Sequence, residues 1–127
     1  FLPGGRVKGT HSPLGIIEPG SVLCICEGWA TAASLHQHGG YTVASAMNAG
    51  NLKPVALALR ARYPDIEIII AGDDDRQTDG NPGRIAAHAA AVAAGCLVTF
   101  PEWPANAPEH LTDFNDLANW SAAHGLA

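Results

Sequence analysis

Four short apolar runs alternate with longer stretches of helical character along this chain. Ser21 to Cys26, Tyr41 to Ser45, Ile66 to Ala71 and Cys96 to Phe100 read as strands, the first and third of them buried. Trp29 to His38 predicts a helix stopped by Gly39-Gly40. Leu52, Val55, Ala56 and Leu59 recur at i, i+3, i+4 and i+7, one buried helical face, with Lys53, Arg60 and Arg62 off the stripe. Pro64-Asp65 ends that helix. Asn81-Pro82 marks the start of the next, Asn as cap and Pro in the first turn, before the Ala-rich segment 84–94 and Gly95. Pro101 to Leu111 reads as a polar, Pro-rich loop, and Asp113 to Ala123 as a last helix.

Strands alternating with helices of this length predict an α/β domain. About four parallel strands form its sheet, joined by right-handed crossovers, with helices on both faces. Residues 1–20, rich in Gly and Pro, read as an N-terminal arm or small hairpin, and residues 21–127 as the domain proper.

The carboxylates fall at the ends of these strands. Asp73-Asp74-Asp75 directly follows the run Ile66 to Gly72, at the edge where open α/β sheets bind ligands. Alternate residues of an extended segment point the same way, so Asp73 and Asp75 can converge while Asp74 points elsewhere. Two hard oxygen donors on one side make half of a Mg²⁺ site. Glu27 repeats the arrangement, following the first strand and preceding Gly28, which permits a close approach. It meets Asp73 and Asp75 if the first and third strands are neighbours. Thr112-Asp113-Phe114-Asn115-Asp116 places more acid at the same edge, and Asp113 also suits a helix cap with Asp116 three residues on.

Composition narrows the class. The 127 residues suffice for one domain with a core. No apolar run approaches the roughly 20 residues of a membrane span. The N-terminus has neither an initiator Met nor a leader-like apolar segment, which reads as a piece of a longer protein without a signal peptide. Cys24, Cys26 and Cys96, odd in number and set in apolar strands, read as buried thiols in a reducing cytoplasm. The net charge of −5 is unexpected for a nucleic-acid protein. It is reconciled if the acids hold cations or if basic surface lies elsewhere in a parent protein. The six histidines show no metal-ligand spacing. Trp103 and Trp120 read as packing residues, and Tyr41 and Tyr63 are not placed as nucleophiles.

Ile25-Cys26-Glu27-Gly28, Gly72-Asp73-Asp74-Asp75-Arg76 and Asp113-Phe114-Asn115-Asp116, in this order on this element pattern, resemble a Toprim domain. The likeness covers about residues 20 to 120. It is greatest to the primase-like modules of phages, plasmids and conjugative elements. The resemblance implies a Rossmann-like Toprim sheet and metal-dependent nucleotidyl transfer, the primer synthesis of a DNA primase in DNA replication. It implies Glu27 as catalytic acid/base or metal ligand, and Asp73, Asp75 and Asp113 as ligands of Mg²⁺ or Mn²⁺. Arg76 matches a basic residue after the second aspartate; Arg76 and Arg84, near the same edge, read either as phosphate contacts or as a solvated helix entry. The implied partners, reached through the full-length protein, are a single-stranded DNA template, nucleoside triphosphates and a helicase. Where replicative primases carry two further acids, this chain has Thr31 and Asn115. A non-catalytic Toprim-like module binding metal or nucleic acid, and a Toprim nuclease, are the alternatives.

Overall fold

The computed structural model describes residues 12–15, 17 and 20–125. Five strands form one sheet: β1 (Ser12–Leu14), β2 (Val22–Cys26), β3 (Thr42–Ser45), β4 (Glu67–Ala71) and β5 (Leu97–Thr99). Three α-helices connect strands, α1 (Trp29–Gly39), α2 (Leu52–Arg62) and α3 (Pro82–Ala94), and α4 (Phe114–Ala123) follows β5. The strand order is β1-β3-β2-β4-β5. β2, β3, β4 and β5 run parallel, so the expected four-stranded parallel sheet is present. β1 adds a fifth strand, antiparallel to β3 at the edge. It falls within the stretch read as an arm, of which residues 1–11, 16, 18 and 19 lie outside the described residues. A three-residue strand in a Gly/Pro-rich stretch carries no period of its own; the open edge of β3 supplies its partner.

The period-two alternation of the strands sorts the core into two layers. Leu23 and Ile25 of β2 and Ile68 and Ile70 of β4 face α2 and α3, where Leu52, Val55, Ala56 and Leu59 meet Ala87, Ala90, Ala91 and Ala94. The alanine stripe lets α3 lie close to both the sheet and α2. On the other face, Cys24, Cys26, Val43 and Ala71 meet Ala32 and Leu35 of α1 and Phe114 of α4. This layer is thinner, and α4 has no fully buried residue. Burial pushes the Cys24 thiol up to about 11 and the Cys26 thiol higher still, so both remain protonated core groups.

β2 and β4 are neighbours in register, Cys26 opposite Ala71. Glu27 and Gly72 therefore leave the sheet side by side, with Asp73 one residue further. Gly72 is required here on steric grounds. A Cβ on it would overlap the Phe100 ring and the Ala87 methyl. Gly72→Ala is expected to destabilise the fold by about 1–3 kcal/mol through overpacking. Val92→Ala on the exposed side of α3, where Val92 is 84% exposed, is expected to stay within about 0.5 kcal/mol. Urea unfolding of both variants checks the contrast.

Candidate active site at the carboxyl edge of the sheet

Glu27 follows β2 and lies just ahead of Gly28, the N-cap of α1. Asp73 follows β4 and Gly72. The two side chains are hydrogen-bonded to each other. Two half-buried carboxyls in contact cannot both ionise freely, and both are pushed up. For Asp73 the causes are burial first, then the charges of Glu27, Asp113 and Asp75, which together raise it to about 8. Glu27 is raised chiefly by burial, and its bond to Asp73 works in the opposite sense. One proton is thus shared between the pair, donated by Asp73 and accepted by Glu27.

Asp75 lies two residues on and is handled differently. Its Oδ2 accepts from the Gly83 backbone N–H at 2.7 Å, in the first turn of α3. That approach is possible because residue 83 is glycine. A Cβ there would come within 2.7 Å of both the Asp73 carbonyl oxygen and Asp75 Oδ2. Asp113 is the N-cap of α4: its side chain accepts from the Asp116 N–H at 2.8 Å, and Asp116 returns a bond in a full capping box. The capping and site readings of Asp113 are therefore compatible. Asp113 is raised mainly by burial, while hydrogen bonds from Asp116, from the Thr31 hydroxyl and from Asn115 hold it down.

Asp74 turns the other way and is 7% exposed. Its Oδ1 accepts from Asn81 Nδ2 at 2.6 Å and its Oδ2 from Trp103 Nε1 at 3.1 Å. The two arginines expected at phosphates are both engaged inside the protein. Arg76 lies over the Trp103 ring at 4.5 Å and donates to the Pro108 carbonyl at 2.7 Å. Its Nε is buried and has no hydrogen-bond partner among the described residues. Arg84 lies over Phe100 at 4.0 Å and 3.7 Å from Asp74 Oδ1, with its side chain 43% exposed. Nothing in the sequence marked Thr31 as a donor to Asp113, or Trp103 as a partner of Asp74. The one available signal was an indole in a polar loop, whose N–H needs an acceptor once buried.

Glu27 and Asp73 thus touch, and Asp75 and Asp113 lie within electrostatic reach of them. Among the described residues, no three His, Cys, Asp or Glu side chains form a group that could hold a metal ion by themselves. The contacting pair nevertheless suits Mg²⁺ or Mn²⁺. All its donors are hard oxygens, and Mg²⁺ is held by one or two carboxylates, with water and substrate phosphates filling its remaining positions.

Residues 22–123 match the family model described as a Toprim domain. The chain belongs to the Toprim family. Two curated relatives, both DNA primase TraC from Escherichia coli, are 43% and 49% identical to it over 108 residues. Each alignment covers 80% of this chain but only 8% and 10% of the relative, so the chain spans a small part of these primases' length. No solved structure matches. The match makes this a Toprim domain of the primase type. No described helix is long and apolar enough to cross a membrane.

The shared proton has a thermodynamic consequence. Asp73 binds its proton more tightly folded, at about 8, than at its ordinary value of 3.8. The stability it contributes is fully present below pH 3.8 and is lost as pH rises through about 8. In chelating buffer, unfolding free energy is expected to fall across that window, and Asp73→Asn is expected to flatten the decline. Urea titrations at a series of pH values measure both slopes.

Proposed function

We propose that this domain carries the nucleotidyl-transfer centre of a DNA primase and joins nucleotides into primers as part of a larger protein. The observation that carries this reading is the hydrogen-bonded Glu27–Asp73 pair at the carboxyl edge of a primase-type Toprim domain. Asp73, Asp75 and Asp113 would hold Mg²⁺ or Mn²⁺, with Glu27 as a further ligand or as the proton acceptor. When bound, the metal supplies positive charge against the attacking 3′ oxygen and the departing pyrophosphate of a nucleoside triphosphate.

The protein's own part is to hold and to move a proton. Burial raises Glu27 above its ordinary value, which makes it a stronger proton acceptor than a free carboxylate. Arg84, with 43% of its side chain exposed, would be free to touch a triphosphate. The net charge of −5 does not suit a template groove, so the single-stranded template would be held elsewhere in the larger protein. One observation favours a second reading, a metal-binding Toprim module without catalysis. Thr31 and Asn115 stand where replicative primases carry acids, and in this chain the Thr31 hydroxyl donates a hydrogen bond to Asp113.

Millimolar Mg²⁺ or Mn²⁺ is expected to raise the melting temperature of the chain by mass action. Asp73→Asn with Asp75→Asn should equal or exceed the native chain in metal-free stability and lose the metal response. An equal response in both would remove the aspartates as ligands.

Activity is tested by exchange. The aligned segment of an E. coli DNA primase TraC is replaced by the matching residues of this chain. The chimera is expected to make primers, and Glu27→Gln in it to lower synthesis by about 10²-fold or more. The 127 residues alone are expected to make little or none. A chimera that folds and binds Mn²⁺ yet makes no primers would decide for the non-catalytic module.

A further inference from the structure

The segment 73–76 alternates in what its side chains hold. Asp73 and Asp75 serve the carboxylate cluster. Asp74 and Arg76 grip the loop 101–112, which leads into Asp113. That loop is fastened at three places: Trp103 Nε1 to Asp74 Oδ2 at 3.1 Å, the Pro108 carbonyl to Arg76 at 2.7 Å, and the Thr112 carbonyl to the Asp74 backbone N–H at 2.6 Å. The other oxygen of Asp74 accepts from Asn81 Nδ2 at 2.6 Å. Asn81, at a φ of 46°, uses its Oδ1 to accept from the Asp75 N–H at 2.8 Å and the Arg84 N–H at 3.2 Å. Asp74 therefore stands between the two structures that place its neighbours: the first turn of α3, which holds Asp75, and the loop that delivers Asp113.

We propose that Asp74 is a positioning residue of the metal site, setting Asp75 through Asn81 and Asp113 through Trp103 and Thr112. It acts through these residues and is not itself a ligand. The proposal rests on the metal-dependent reading of the edge.

The chemistry of the junction is specific to a carboxylate facing an amide. Asp74 must accept on both oxygens, from two different donors. Asparagine has one acceptor, so Asp74→Asn sets its own N–H₂ against either Asn81 Nδ2 or Trp103 Nε1. Asn81→Asp places a second carboxylate against Asp74. The double exchange, Asp74→Asn with Asn81→Asp, restores every hydrogen bond of the junction and gives up only the 3.7 Å approach of Arg84 to Asp74 Oδ1. Asn at 74 accepts from Trp103 and donates to Asp at 81, whose other oxygen accepts from the Asp75 and Arg84 N–H groups. Aspartate also tolerates the left-handed backbone of position 81.

Mn²⁺ titration of the chain and these three variants, with a melting curve for each, tests the proposal. Partners that orient metal ligands are typically worth about 10–100-fold in affinity, so each single variant is expected to bind at least about 10-fold more weakly. The double variant is expected to return to near the native affinity. Leu59→Ala, a core substitution in α2 away from the site, separates positioning from stability. It is expected to melt lower with unchanged affinity. If Asp74→Asn fails to fold, Trp103→Phe removes one donor while keeping a ring under Arg76, and it too must weaken binding.

Native affinity in Asp74→Asn, or no recovery in the double variant, overturns the proposal. If Asp73→Asn also binds Mn²⁺ as the native chain does, the metal reading itself has failed. If Asp73→Asn loses binding while Asp74→Asn keeps it, only the positioning role has.

Discussion

The repulsion between Glu27 and Asp73 is the constraint around which this edge of the molecule is arranged. The parallel register of β2 and β4 leaves no freedom in the matter, since it sets both strand ends side by side. At an effective dielectric near 20, two unit charges about 4 Å apart cost roughly 4 kcal/mol. The same geometry brings a remedy. Strands that run parallel send their helices back from one edge, so helix N-termini, with their unpaired N–H groups, gather where the carboxylates do. Glu27 stands before α1, Asp75 accepts from the first turn of α3, and Asp113 caps α4. Asp73 alone follows a strand without entering a helix. Its hydrogen-bond partner is another carboxyl, and it is the acid raised furthest, to about 8. The proton it keeps is a measure of positive charge that the protein itself does not supply.

A cluster held under such repulsion spreads unless its backbone is fixed, and the fixing is done by small residues and buried bonds. Gly72 lets Phe100 and Ala87 close over the end of β4. Gly83 lets α3 approach until its N–H reaches Asp75. The loop 101–112 has no secondary structure to hold it, and Arg76 and Asp74 replace that support with bonds to its carbonyls and to Trp103. The cation of Arg76 is thereby spent on architecture. Its burial over the indole, with Nε left without a partner among the described residues, suits a clamp better than a hand for a mobile substrate.

What the sequence made legible follows from period and locality. The strand cores, the stripe of α2 and the caps Asn81 and Gly95 depend on residues within a few positions of each other, and the structure has them as the pattern predicts. The opposite facing of Asp74 needed only the alternation of an extended chain. Pairings across long separations were not legible. Trp103 and Asp74 are 29 residues apart, and no local rule connects a loop indole to the middle of three aspartates. β1 was hidden for the same reason, since its stability comes from the edge of β3 and not from its own three residues.

Thr31 and Asn115 gain meaning from this balance of charge. Thr31 is 1% exposed, one turn into α1, and its hydroxyl donates to Asp113. A carboxylate at that depth would add a further like charge against Asp113, besides those of Glu27 and Asp116. It would bring no donor to offset its own desolvation. The hydroxyl does the reverse, favouring the ionised form of Asp113 while adding no charge. The Asn115 backbone N–H acts in the same direction whatever the side chain, and the amide there adds no charge. A site built this way asks for less resident positive charge than one carrying two more acids.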